Sequence, residues 1–309
     1  MVVYHDINQF TKLTLGLTTI GIFDGVHIGH QKILSSLVQE AHTVGGESVV
    51  VTFWPHPRLV LSNDTSLKLI NSIEEKISLI GAIGVDHLII IPFTKAFASL
   101  SAEDFSKVYL ADKIGTKKLF IGYDHRFGRN KEGGFDYLRD HAHVYGFEVN
   151  EIPRQDIDNL AVSSTRIREA IERGDLDEAN ELLGRVYSLE GTVVKGRQMG
   201  RQLGFPTANI EIAFEHKILP HFGVYAVKID VHSKVYHGML NIGIKPSFEN
   251  LDPTIEVHIF DFQEDIYGQQ LKINFVKRIR DEQKFVSIEA LKTQLQLDKE
   301  TCLQIFELV

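Results

Sequence analysis

The chain has 309 residues, 43% of them hydrophobic and 24% charged, with a formal net charge of −8. A single hydrophobic core stops growing at roughly 250–300 residues, so two domains are expected. The negative balance excludes general nucleic-acid or anionic-membrane binding, which needs a positive field. A single cysteine, Cys302, excludes an intrachain disulfide and a thiolate metal cluster. The opening MVVYHDINQF has neither a basic start nor an apolar run, and HLIIIPF is far too short to span a membrane. The expectation is a cytoplasmic protein with no membrane segment.

The first half alternates strand and helix patterns. TTIGIF (18–23) reads as a buried strand. QKILSSLVQEAHTVG (31–45) follows with apolar residues at helical spacing and a closing glycine. SVVVTFWP, HLIIIPF, KKLFIG and FEVNEIP read as further strands; IEEKISLIGAIG, AEDFSKVYLADKIG and YLRDHAHVYG read as the helices between them. This alternation implies a parallel sheet covered by helices, with ligands bound beyond the carboxyl ends of its strands. STRIREAIERGDLDEANELLG then reads as two short helices parted by Gly174, with Asp175 and Glu178 spaced for a capping box.

From Tyr187 the period becomes two. YSLEGTVVKG, GVYAVKIDVHSKVYHGMLNIG, TIEVHIFDF and QQLKINFVKRIR are strands without helices between them, as in an antiparallel barrel or sandwich. Helical runs close the chain, SIEALKTQLQ capped by Ser287 and then DKETCLQIFEL. The boundary is placed at 183/184.

GIFDGVHIGHQ (21–31) puts His27 and His30 where the first strand hands over to the first helix. A helix start presents N–H groups and partial positive charge, which suits phosphate. Gly25 and Gly29 allow close backbone approach, and two imidazoles can donate to phosphate oxygens. A pair of loop histidines beside a capping Asp24 is the plainer alternative. The hydroxyls of Ser163–Thr165 are likewise explained by helix capping alone, and Arg166 and Arg168 by a solvated face.

HxGH after a first strand resembles the signature of the nucleotidyltransferase superfamily. With TFWPHP (52–57), IGYDHRFGRN (121–130) and SSTRIR (163–168), the string resembles the adenylyltransferase half of the bacterial bifunctional riboflavin kinase/FAD synthetases. The resemblance implies a Rossmann-like domain over residues 1–183. There His27 and His30 are catalytic, holding ATP phosphates and stabilising the transition state. Gly21, Phe23, Asp24, Gly29, Ser164, Thr165 and Arg168 complete the ATP side. Asp124, Arg126 and Phe127 lie on the flavin side. His125 stands where the family usually has phenylalanine and is left out of the site.

KGRQMGRQLGFPTANI (195–210) carries glycines at 196, 200 and 204 among Lys195, Arg197 and Arg201. It is neither a Walker A loop nor GxGxxG. The spacing serves plain barrel turns equally well, but amides, guanidinium groups and the hard oxygens of Thr207 and Asn209 together suit a magnesium nucleotide. In TIEVHIF, Ile255, Val257 and Ile259 share one face and Glu256 and His258 the other, so Glu256 is either a solvated carboxylate or a base facing a groove. GRQLGFPTANI, GVYAV, NIGIKPSF and EVHIFDFQEDIYG resemble the riboflavin kinase domain. This implies a six-stranded antiparallel barrel with terminal helices over 184–309. It places ATP at Gly200, Arg201, Gly204, Thr207 and Asn209, and Mg²⁺ on Thr207 and Asn209. Glu256 becomes the catalytic base, and Arg280 and Glu282 the flavin side. The implied enzyme takes ATP, riboflavin and FMN, needs Mg²⁺, and makes FMN in one domain and FAD in the other. A flavin-binding regulator, or a chain retaining one activity, would keep the same fold. A nucleotidyltransferase with another acceptor would leave the PTAN barrel unexplained. The oligomeric state stays open, a homo-oligomer included.

Overall fold

The computed structural model describes residues 1–307 except 63, 65, 123–125, 153–161, 197–198 and 245–252, and all but the side chain of Met199. It divides into two compact units, Met1–Ser164 and Thr165–Val309. The boundary expected at 183/184 therefore falls inside the second unit.

In the first unit β1 (Val2–Tyr4), β2 (Gly16–Ile20), β3 (Glu47–Trp54), β4 (His87–Pro92), β5 (Thr116–Gly122) and β6 (Glu148–Ile152) form one sheet in the order β1-β4-β3-β2-β5-β6. Every pairing is parallel. Successive residues of the inner strands go to opposite layers: Val49, Val51 and Phe53 to one core, Val50 to the other. A strand buried on both faces reads as a continuous apolar run, which is why VVVTFW and LIII were legible. The chain leaves β2 toward β3 on one side and comes back to β5 on the other. This reversal makes a crevice at the carboxyl ends of β2 and β5.

α-Helical segments lie between the strands up to β5. They are α1 (Ile28–Val44), the short α2 (Pro57–Leu61), α3 (Ile73–Ala82), and the single turns α4 (Lys95–Ala98) and α5 (Ala102–Asp104). The last runs into a wide i→i+5 helix over Phe105–Ile114. α6 (Phe135–Tyr145) precedes β6. Two expected boundaries move. β2 ends at Ile20 rather than residue 23, because Phe23, Gly25 and Val26 have φ of 51°, 86° and 39°, which no strand contains. α1 begins at Ile28 rather than 31, since His27 is itself the N-cap.

In the second unit α7 (Ser164–Arg173, its first residue in the first unit) and α8 (Leu176–Leu183) precede the barrel. Asp175 caps α8, accepting from the Glu178 N–H at 3.1 Å. The capping box is not closed, because the Glu178 carboxylate takes Arg166 and Arg173, each at 2.7 Å. The barrel consists of β7 (Ser188–Val194), β8 (Ala208–Glu211), β9 (Gly223–Val231), β10 (Lys234–Ile244), β11 (Pro253–Ile259) and β12 (Gln270–Arg280), closed in the order β10-β11-β8-β7-β12-β9 and antiparallel throughout. Leu189, Tyr225, Val227, Ile229, Leu240, Val257 and Ile273 are fully buried and fill it. A turn of helix, α9 (Met199–Leu203), precedes β8, and α10 (Ile288–Glu307) closes the chain. α10 is one continuous helix where the sequence suggested two runs. It packs on β9, β10 and β12, with Cys302 in a cluster with Phe205, Val224, Ala226, Met239 and Phe260.

Candidate active sites

The first site is built on the turn between β2 and α1. His27 is 6% exposed, and its Nδ1 accepts from the His30 N–H at 3.3 Å. That bond puts the proton of the neutral ring on Nε2. The two imidazoles stack, with centroids 3.6 Å apart and planes at 17°. Phe23 meets His30 edge-on at 5.2 Å. Gly21 makes room for that ring: a Cβ there would stand 2.7 Å from Phe23 Cζ. A Cβ at Gly29 would crowd Val162 at 3.0 Å and the His27 ring at 3.3 Å. Asp24 is buried, and its Oδ1 accepts from the Ile70 and Asn71 N–H groups at 3.0 and 3.4 Å. The Ser164 hydroxyl donates to the Asp24 carbonyl at 2.9 Å. No acidic residue lies in the first turn of α1, so none of the helix's own first-turn side chains offsets its dipole there.

These contacts bring together Gly21, Phe23, Asp24, His27, Gly29, His30 and Ser164. Thr165 and Arg168 follow Ser164 on α7, in the second unit. Phe127 is a core residue, packed on Phe105 at 5.4 Å. Arg126 is exposed, and a Cβ on Gly134 would lie 2.7 Å from its Nη1. Asp124 and His125 lie outside the described residues. His56 of TFWPHP caps α2, its Nδ1 accepting from the Arg58 N–H at 3.1 Å.

The second site lies on the outside of the barrel, where β10, β11 and β8 run side by side. Asn241, Glu256 and Asn209 are directly opposite one another on these strands, one rung across three. Residues paired in this way share a face. Thr207 Oγ1 donates to Glu256 Oε2 at 3.4 Å. The glycine ladder acquires separate reasons. A Cβ on Gly196 would stand 2.1 Å from Asn209 Nδ2, and one on Gly200 would stand 2.3 Å from the Phe205 carbonyl. Gly204, at φ 83°, ends α9 in the left-handed region. Thr207 and Arg201 also line a cavity of about 340 Å³ walled by Val257, Ile259, Phe262 and Tyr267.

Sequence reasoning missed Asn241 and the Phe262–Tyr267 wall. Asn241 lies in the quoted NIGIKPSF string, but only strand register puts it opposite Glu256. Glu282 lies against Gly243, where a Cβ would stand 2.0 Å from its Oε1. Gly243 pairs with Thr254, two positions along from the Asn241–Glu256 rung. Arg280 pairs with α10: Nε and Nη2 donate to Asp298 at 2.9 and 2.7 Å.

A parallel sheet with an HxGH pair at its reversal point defines a nucleotidyltransferase-type domain, and the closed barrel with PTAN and a facing carboxylate defines a small kinase-type domain. The FAD synthetase family model matches residues 11–166 and the riboflavin kinase family model matches 183–306. A bifunctional riboflavin kinase/FMN adenylyltransferase of Bacillus subtilis is 39% identical over 293 residues, covering 93% of this chain and 91% of the relative. The Escherichia coli protein of the same name is 34% identical over 305 residues, covering 98% and 96%. A solved structure from Streptococcus pneumoniae, titled a macrolide-efflux protein, is 30% identical with a TM-score of 0.86, covering 97% of this chain and 98% of that one. The chain belongs to the bifunctional riboflavin kinase/FMN adenylyltransferase family. Its substrates are ATP, riboflavin and FMN, with the adenylyltransferase in the N-terminal region and the kinase in the C-terminal region. No helix among the described residues is long and apolar enough to cross a membrane.

Proposed function

We propose that adenylyl transfer takes place at the His27–His30 pair and riboflavin phosphorylation at the Asn209–Glu256–Asn241 rung, in domains covering residues 1–183 and 184–309. In the first reaction a phosphate oxygen of FMN attacks the α-phosphorus of ATP and pyrophosphate leaves. Two anions must meet, so positioning and charge stabilisation carry the catalysis. Nε2–H of His27 donates to a phosphate oxygen, with the ring oriented by the bond that its Nδ1 accepts from the His30 N–H. His30, stacked on it, donates alongside. Gly29 admits the phosphate close to the backbone, and Ser164, Thr165 and Arg168 hold the remaining ATP oxygens. Arg126 and Asp124 meet the FMN side; Phe127 supports that wall from within the core.

In the second reaction Glu256 takes the proton of the riboflavin 5′-hydroxyl while that oxygen attacks the γ-phosphorus of ATP, the bond to the β,γ-bridging oxygen breaks and ADP leaves. The Thr207 hydroxyl orients the carboxylate. The cavity beside Thr207 takes the nucleoside, with Arg201 and the Gly200–Gly204 turn at the phosphates. Thr207 and Asn209 are hard oxygen donors, and among the described residues no group of three or more His, Cys, Asp or Glu side chains could form an all-protein metal cage. That donor set suits Mg²⁺, which keeps waters and phosphate ligands. When bound, Mg²⁺ neutralises phosphate charge. Glu282 borders the flavin side of this site. Both reactions belong in the reducing cytoplasm, consistent with one buried cysteine.

The observation carrying this reading is the stacked histidine pair on the first turn of α1, at the sheet's reversal point. The test is direct. His30→Ala should lose FAD formation from FMN and keep FMN formation from riboflavin; Glu256→Gln should do the opposite. Chromatographic separation of the flavins reads both. A folded His30→Ala protein that still makes FAD at the wild-type rate would sink the assignment.

A further inference from the structure

Lys76 lies in IEEKISLI on α3, a run whose charges would ordinarily face water, yet it is 2% exposed. Its Nζ donates to the Ile22 carbonyl at 2.7 Å and sits 5.4 Å from the Trp54 ring centroid. The Thr52 hydroxyl donates to the same carbonyl at 3.3 Å. Three elements thus converge under one turn: the chain leaving β2, the end of β3, and the first turns of α3. Burying an ammonium here is costly, and an apolar side chain would fill the space more cheaply. Ile22 opens the turn in which Phe23, Gly25 and Val26 all have positive φ. Phe23 and Val26 are not glycine, and such residues persist only where their surroundings over-determine them. The turn ends at His27.

We propose that Lys76 is a positioning residue for adenylyl transfer, its ammonium holding the Ile22–Val26 turn in the conformation that sets the His27–His30 pair. This rests on the placement of that reaction at the two histidines. The group's surroundings explain why a cation is needed. Asp24, in the same turn, attracts it; β3 presents the Trp54 face and the Thr52 hydroxyl. Glu75, its neighbour on α3, is occupied at the helix start, accepting from Asn71 Nδ2 and the Ser72 N–H. Burial lowers the Lys76 pKa to about 8, opposed by Asp24, so the ammonium is present through neutral pH. Between that value and the ordinary lysine pKa the unfolded chain binds more protons, so this group makes folding more favourable as pH rises. Adenylyl transfer should move the other way, losing rate over the same window as the cation is lost. A merely structural lysine would not separate the two.

The experiment is Lys76→Met in the full chain, assayed at saturating ATP and FMN. Methionine is unbranched, suits an apolar site and lacks the donor. The melting temperature should stay at or above the wild-type value, and riboflavin phosphorylation should stay at the wild-type level. The kcat of FAD formation should fall by about 10–10²-fold, as for a small misplacement of catalytic groups, with the KM for FMN little changed. The wild-type kcat should decline above about pH 8 without a fall in melting temperature, and Lys76→Met should lack that decline. A kcat within twofold of wild type would overturn the proposal. So would a joint loss of kcat and melting temperature, or an alkaline decline that persists in Lys76→Met. His30→Ala, run alongside, tests the placement separately: if it still makes FAD, the site is misplaced whatever Lys76 does.

Discussion

On the proposed reading His27 combines two tasks. Its Nδ1 caps α1, and its ring serves the phosphates in adenylyl transfer. Histidine is not among the usual N-cap residues, which is why the helix start was read three residues late. The two tasks come apart by substitution. His27→Asn keeps an oxygen that can accept from the helix N–H groups, so its thermal stability should match the wild type. His27→Ala should lose about 1 kcal/mol of cap. Both should lose about 10²–10³ in kcat for FAD formation, the loss typical of removing one preorganised donor. A His27→Asn enzyme with wild-type kcat would mean that the ring only caps. Lys76 belongs to the same scale from the other side. Nothing in IEEKISLI distinguishes a buried lysine from a solvated one, because the distinction lies in the Ile22 carbonyl and Asp24, far away in sequence.

Elements were legible where burial writes a long pattern. The doubly buried strands β2 to β5 and the helix α1 were found because apolar runs and helical periods extend over many residues. β1 and β8 were missed. They are three and four residues long, too short for a period, and β8 follows a loop of glycine and proline. α10 was split because Asp298 reads as a polar interruption. In the structure Asp298 is 1% exposed and accepts both Arg280 nitrogens and Gln294 Nε2. That pair is what carries the helix through a buried charge. Asp298→Ala leaves a guanidinium without its carboxylate and should destabilise the second unit by about 3–5 kcal/mol, read from denaturant midpoints. Cys302, one turn further along, supplies a local probe. It is fully buried, and its thiol is pushed up to about 12 by burial and by Asp298. A disulfide reagent should therefore label it slowly in the native protein, since the thiolate is the nucleophile. Labelling should speed up in Asp298→Ala if α10 loosens. Unchanged labelling in a destabilised variant would show that the helix stays docked and the loss lies elsewhere.

At the scale of the molecule the change of rhythm near residue 184 announced two architectures, parallel then antiparallel, and the structure has both. Register was the part a single sequence could not supply. Asn241 meets Glu256 only because β10 and β11 pair with Asn241 opposite Glu256, and a slip by one residue would turn the whole strand over. The two activities on one chain make a further outcome testable. FMN is the product of the barrel and the substrate of the sheet domain, so the two reactions are linked by a molecule that can diffuse. Supplied with riboflavin and ATP, His30→Ala should stop at FMN and Glu256→Gln should leave riboflavin untouched. A mixture of the two variants should make FAD after a lag, as FMN released by the first accumulates for the second. The lag should shorten as FMN is added and vanish when FMN replaces riboflavin. If the mixture makes no FAD while Glu256→Gln converts added FMN at the wild-type rate, FMN must be retained by the chain that makes it. The two units would then act as one assembly line rather than as two enzymes on one chain.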